Sequence, residues 1–184
     1  MKKMIAVLTA LCLLCASFAA LAEAPAAEEK AAFENGVKFG MSQAEVIAIE
    51  GAPNEKDVEH TKGPVTFTEL EYKKVPDTML DNATVDRKYL FVEDKLVAVR
   101  FDIETRNISY EKVKEALSAK GEFTALDITI LGNGIYAVDD DGTPELNVLA
   151  FVDAERKIMT ILELDDDGDD IDVTIVDLSA DYIK

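Results

Sequence analysis

The chain has 184 residues, and its 37 acidic against 19 basic side chains give a formal net charge of −18 at pH 7. A surface of this sign repels phosphate backbones and anionic lipids, which argues against nucleic-acid and membrane-surface partners. The single histidine, His60, is expected in a solvent-exposed loop, and the sequence has no phosphate-binding glycine loop, zinc-protease motif or serine-nucleophile motif. The charge suits a soluble protein, a cationic partner or divalent cations, and the preferred explanation is that acidity merely keeps an exported protein soluble.

Residues 1–22 have the features of a secretory signal peptide. Two lysines near the start precede an apolar stretch, and an Ala-Leu-Ala cleavage site ends at Ala22. Export would place the protein in the cell envelope or outside the cell, without membrane insertion after cleavage. Both cysteines, Cys12 and Cys15, lie in this segment, so the mature chain has no disulfide. A lipid anchor on Cys15 ranks below simple cleavage because the bulky Leu14 precedes it.

The first predicted element is a short helix with clear start and stop signals. Ser42 is suited to the N-cap, and Glu45 three residues later completes a capping box. Met41 and Val46 are placed as the hydrophobic staple, and Gly51 suits the left-handed position after the helix. A helix of about two turns is marginal in isolation, so the sequence predicts that it packs on another element.

Strands follow, and they are joined by polar turns. The clearest pair is a hairpin that turns at Glu93 and Asp94, with more apolar side chains on one face than on the other. The segments 54–64 and 74–83 are predicted to be loops. The predicted strands are 65–73, 85–93, 95–103, 123–131, 135–138, 145–152, 157–164 and 171–178.

The order of elements then repeats. A second helix begins after Ser109 and ends near Lys120, with the same serine cap and valine staple as the first. We therefore predict a flexible leader over residues 23–32 and two tandem units over 33–105 and 106–184. Each unit is a helix followed by antiparallel hairpins, and the fold class is α+β with the helices on one face of an antiparallel sheet.

The stretch FGMSQAEVIAIEGAPN, residues 39–54, resembles the Gly-Met-Ser/Thr-x-x-x-Val…Gly-x-Pro motif of the SmpA/OmlA (BamE-like) envelope domains. The tandem arrangement also resembles the beta-lactamase inhibitor protein architecture. This resemblance implies a non-catalytic module that binds an unidentified protein partner. The chain departs from both families, because BamE proteins are lipoproteins and the inhibitor-protein relatives have disulfides. No family contact residue is carried over to this sequence.

The predicted binding surface is an open sheet face or the hairpin loops. Exposed aromatic side chains on one face would support it, since such residues anchor protein interfaces, and their burial would count against it. The candidate anchors are Phe67, Tyr72, Tyr89 and Tyr136. No catalytic, cofactor-binding or metal-ligating residue is assigned, and no cofactor is predicted.

Two acidic turns, residues 139–142 and 165–170, leave a cation-binding surface protein as the alternative. An EF-hand with Gly168 at position six would place Thr174 where a glutamate is required, so only weak calcium binding, near 10⁻⁴–10⁻³ M, remains. Asp-Gly pairs between strands are also ordinary turn chemistry. A hydrolase ranks last, since it needs a concave pocket in which acids with shifted pKa values converge.

Overall fold

The structure is a computed structural model that describes residues 33, 35–60, 66–119, 121–125, 148–165 and 167–180. All of them belong to one compact unit, Ala31–Lys184. The predicted signal peptide and leader lie outside the described residues, as do the predicted strand 135–138 and the turn 139–142. In the part of the chain that is described, no helix is long and apolar enough to cross a membrane.

Eight antiparallel strands in the described residues form one sheet, in the order β1-β2-β3-β4-β8-β7-β6-β5. Strands β4 and β8 meet at its centre and pair from Ala98 with Val176 to Glu104 with Asp170. The strands are β1 Glu55–His60, β2 Thr66–Asp77, β3 Ala83–Val92, β4 Lys95–Glu104, β5 Thr124–Ala125, β6 Leu149–Asp153, β7 Ile158–Leu164 and β8 Asp170–Asp177.

The predicted fold class, two helix-plus-hairpin units with helices on a sheet face, is wrong. Strands from both halves of the chain form one continuous sheet, and only two α-helices, α1 Gln43–Glu50 and α2 Tyr110–Ser118, occur among the described residues. The physical reason is the composition of β4, where Val99, Phe101 and Ile103 are buried. An apolar strand left at a sheet edge would expose unpaired backbone groups, and pairing with β8 removes that edge.

Several predicted loops are also strands. Residues 55–60 form β1 at the sheet edge, so His60 lies in a strand and not in a loop. Strand β2 continues to Asp77 through a bulge at which Lys74 has a φ of 57°. Polar edge strands escape detection because their exposed side chains need no apolar alternation. The hairpin turn at Glu93 and Asp94 is confirmed, with positive φ at both residues.

The sheet has an apolar cluster on each face. Alternate residues of the central strands, such as Val99 and Phe101, share one cluster with Val46 of α1 and Val113 and Leu117 of α2. We call this side face A. The intervening residues point to the opposite side, face B, where a smaller apolar cluster covers only part of the surface. That cluster consists of Phe67, Leu90, Val97, Ala98, Val148, Ala150, Met159, Ile161 and Val176.

Candidate functional site

The rest of face B is a concave, charged surface on strands β3, β4, β8 and β7, with Lys74 of β2 at its border, and we call it the acidic groove. It encloses about 630 Å³ and is lined by seven carboxylate and four basic side chains together with two neutral ones. The turns that follow β4 and β7 also contribute residues to it. The lining residues are Lys74, Thr84, Asp86, Lys88, Arg100, Asp102, Glu104, Arg106, Asn107, Glu163, Asp165, Asp170 and Asp172.

Strand register places four of these carboxyl groups in one row across the groove. Asp86 of β3 lies opposite Asp102 of β4, and Asp102 lies opposite Asp172 of β8. Asp172 in turn lies opposite Glu163 of β7. Like charges directly opposite each other destabilise a sheet. The row therefore opposes folding, and it is the least expected feature of this surface on structural grounds alone.

Two cations beside the row offset part of this repulsion. Lys88 of β3 and Arg100 of β4 lie opposite each other in the strand register, next to the row of carboxyl groups. The Lys88 Nζ lies 2.8 Å from Asp102 Oδ2, which makes a partly buried ion pair. The other oxygen, Asp102 Oδ1, is buried and accepts from no N–H group of the described residues. The groove thus keeps one strong acceptor that no N–H group in the described part of the chain fills.

This environment favours the protonated form of Asp172. Burial, together with the adjacent Asp102 charge, raises the pKa of Asp172 to about 7, although Arg100 and Lys88 oppose the shift. A protonated Asp172 donates a hydrogen bond to Asp102, which an ionised Asp172 cannot do. Near neutral pH the pair is therefore poised to gain or lose one proton.

Three of the four candidate aromatic anchors are buried. Phe67, Tyr72 and Tyr89 are 6%, 4% and 0% exposed, and this burial counts against the predicted aromatic binding surface. Tyr72 and Tyr89 pack edge to face on face A, with ring centroids 5.7 Å apart. Alternation in a sequence shows which residues share a face, but it does not show which face is covered. Tyr136 lies outside the described residues.

The acidic turn at 165–170 uses a carboxylate to stabilise its own backbone. Asp165 Oδ1 accepts hydrogen bonds from the backbone N–H groups of Gly168, at 2.8 Å, and Asp169, at 3.2 Å. Within the described ranges, no group of three or more acidic, histidine or cysteine side chains is arranged to hold a metal ion. The side chain of His60 and the turn at 139–142 lie outside what the structure describes.

Sequence reasoning missed the acidic groove. Its carboxylates are spread over four strands and the turn at 165–170, and those on the strands occupy ordinary polar positions. One signal could have indicated the groove: Asp86, Asp102 and Asp172 each lie within a strand that is otherwise rich in apolar residues. Only the pairing of β4 with β8 brings these side chains together.

Comparison with protein-family models, with curated proteins and with solved structures gives no match for this chain. The resemblance to the SmpA/OmlA domains therefore rests on the motif at residues 39–54 alone.

Proposed function

We propose that this protein is an exported, non-catalytic binding module that recognises a basic segment of a partner protein through the acidic groove. The observation that carries the proposal is the row of Asp86, Asp102, Asp172 and Glu163 in a concave surface. The like charges in this row destabilise the sheet, and an external cation that binds there would relieve their repulsion. The overall charge of −18 favours the same class of partner by steering cationic ligands to the surface.

The dimensions and the chemistry of the groove suit lysine or arginine side chains. The row crosses four strands, which is roughly 14 Å at about 4.8 Å per strand spacing. That length matches a few residues of an extended peptide. The buried Asp102 Oδ1, which accepts from no N–H group of the described residues, can accept an N–H from a guanidinium or ammonium group. Binding would also offset the repulsion between Asp102 and Asp172.

Calorimetric titration with a twelve-residue peptide of alternating lysine and arginine tests this proposal. We expect saturable binding to the wild-type chain, and binding at least about tenfold weaker for Asp102→Asn combined with Glu163→Gln, because two charge-assisted hydrogen bonds are weakened. The control, Asp57→Asn combined with Glu55→Gln, removes the same charge from exposed positions on β1. An equal loss of affinity in both double variants would show non-specific charge attraction and would overturn the proposal.

The calcium-binding alternative predicts a different outcome in the same calorimeter. Calcium chloride should then release or absorb heat with saturation by a few millimolar and should raise the melting temperature. The absence of both effects in a chain that binds the basic peptide would leave the peptide-binding proposal standing by itself.

Export through cleavage after Ala22 remains part of the proposal. The basic start, the apolar stretch and the small residues before Glu23 support it. Mass spectrometry of the protein recovered from an expressing cell tests it directly. We expect a mature chain that begins at Glu23, and an intact chain starting at Met1 would contradict cleavage.

Hydrolysis is a second candidate, because strand pairing places two acids, Asp102 and Asp172, directly opposite each other. Asp172, with its pKa raised to about 7 by burial and by Asp102, has the character of a general acid. The backbone N–H groups around the pair are used in the strand ladders, so they cannot stabilise a developing oxyanion. Product formation from peptide or oligosaccharide substrates at pH 5–7 that is lost in Asp172→Asn would favour this candidate over binding alone.

A further inference from the structure

Face A contains a second concave site that the proposed function does not use. This cavity of about 550 Å³ is lined mainly by apolar side chains from the sheet and from the segments that cover it. A volume of this size accommodates a small organic molecule. The apolar lining residues used in the argument are Phe39, Val99, Phe101, Phe151, Ile158 and Ile175.

Strand register makes the floor of the cavity a row that crosses five strands. Tyr89 of β3 pairs with Val99 of β4, and Val99 pairs with Ile175 of β8. Ile175 pairs with Thr160 of β7, which pairs with Phe151 of β6. Four strand spacings give a floor of roughly 19 Å at about 4.8 Å each. The floor is therefore elongated across the strands, which suits a chain-like ligand better than a compact one.

Both ends of the floor have charged lining residues. At the Phe151 end, Asp153 and Arg156 form an ion pair with each other at 3.7 Å, and at the Tyr89 end lies the buried guanidinium of Arg87. Its side chain is only 10% exposed, and its Nη1 and Nη2 donate to Glu50 Oε1 at 3.2 Å and to Asp77 Oδ2 at 2.7 Å. The Tyr89 hydroxyl donates to Glu50 and accepts from Asn35 Nδ2. Burial, with the Glu50 charge beside it, raises the pKa of Tyr89, so this phenol stays neutral.

The third nitrogen of this guanidinium, Arg87 Nε, is buried, and its N–H has no acceptor among the described residues. A buried donor without a partner is costly, and a ligand oxygen at the Arg87 end of the cavity would satisfy it. The charges around Arg87 determine which kind of ligand oxygen can bind there. Glu50 and Asp77 place two carboxylates against one guanidinium, so a further anion would be repelled.

We infer that the face A cavity binds an uncharged long-chain molecule whose polar end carries a hydroxyl or carbonyl oxygen. The oxygen accepts from Arg87 Nε–H, and the aliphatic chain lies along Val99, Ile175 and Phe151. The site is on the opposite face from the acidic groove, so the two sites are tested independently.

Calorimetric titration of the full chain with three probes that carry a ten-carbon chain tests this inference, with 1-decanol kept below its solubility limit and the two ionic probes below their critical micelle concentrations. The probes are 1-decanol, decanoate and decyltrimethylammonium, which share a chain and differ in the charge of the head. We expect 1-decanol to bind at least about tenfold more tightly than decanoate, because the two carboxylates repel the anion. It should also bind more tightly than decyltrimethylammonium, because that head has no oxygen to accept from Arg87 Nε–H. Equal or tighter binding of decanoate or of the cation, or no binding of 1-decanol, would overturn the assignment.

Two variants then locate the site. Ile175→Trp fills the middle of the floor and should abolish 1-decanol binding. Its control, Val152→Trp, adds the same ring at an exposed position next to Phe151 and should bind as the wild type does. Arg87→Lys keeps the charge but removes Nε–H, and should weaken 1-decanol binding by roughly three- to tenfold. Unchanged affinity in Arg87→Lys, or in a folded Ile175→Trp variant, would show that the probe binds elsewhere.

Discussion

At the scale of single residues, two buried ionisable side chains on opposite faces show how surroundings decide chemistry. Arg87 is held charged by Glu50 and Asp77, which lie within hydrogen-bond distance of its terminal nitrogens. Asp172 lies beside another carboxyl group, Asp102, and burial together with that neighbour raises the pKa of Asp172 to about 7. Neither environment can be inferred from the neighbours of these residues along the chain, since every partner comes from another element.

The raised pKa of Asp172 makes the stability of the protein depend on pH. An acid with a pKa of 3.8 in the unfolded chain and about 7 in the native state binds its proton more tightly when folded. The contribution of Asp172 to the free energy of unfolding is therefore fully present below about pH 4 and is lost as the pH rises through 7. The difference amounts to something on the order of 2–4 kcal/mol in the free energy of unfolding.

Replacement by Asp172→Asn should remove this dependence while leaving a side-chain N–H that can donate to Asp102. We expect the variant to be more stable than the wild type at pH 8 and to lose less stability between pH 5 and pH 8. Urea unfolding at both values measures this, with Asp57→Asn on β1 as the exposed control. A pH dependence in Asp172→Asn as steep as that of the wild type would refute the shared-proton description.

At the scale of elements, the two helices differ in how they begin. Ser42 Oγ accepts from the Glu45 N–H at 3.3 Å, and Glu45 Oε2 accepts from the Ser42 N–H at 2.8 Å, so the predicted capping box is confirmed. The backbone and side-chain hydrogen bonds from Ser42 lower the pKa of Glu45. Ser109 occupies the same position in α2, but in the described chain its side chain makes no capping bond.

This difference predicts unequal effects of the same substitution. Ser42→Ala should lower the free energy of unfolding by about 1 kcal/mol, because a helix N–H loses its acceptor. Ser109→Ala should change it by less than about 0.5 kcal/mol. Denaturant unfolding of the two variants compares them directly, and equal losses would mean that the second cap also forms in solution.

Local signals predicted the elements that local chemistry determines. The capping box of α1 and the tight turn at Glu93 and Asp94 depend on residues adjacent in sequence, and both are confirmed. Strand β1 and the extension of β2 to Asp77 depend on partners elsewhere in the chain, and both were predicted as loops. The acidic groove was missed for the same physical reason, since it exists only after β4 pairs with β8.

At the scale of the whole molecule, the pairing of β4 with β8 joins strands from both halves of the chain. Because the face A cluster also draws on both halves, neither half has a complete core. We expect a single cooperative unfolding transition, with calorimetric and van't Hoff enthalpies that agree. A chain ending at residue 105 should fail to fold, because β4 would become an exposed apolar edge. Two separate transitions, or a folded fragment, would contradict this.

The central claim is that the acidic groove binds a basic segment of a partner, and amide chemical-shift mapping by NMR tests it most directly. Titration with the lysine–arginine peptide should shift the amides of residues 86–88, 100–104, 163–165 and 170–174 most strongly. The exposed acids of β1 should shift little, although they carry the same charge. Shifts spread evenly over all acidic segments, or concentrated on β1 and away from the row at Asp102 and Asp172, would contradict the account.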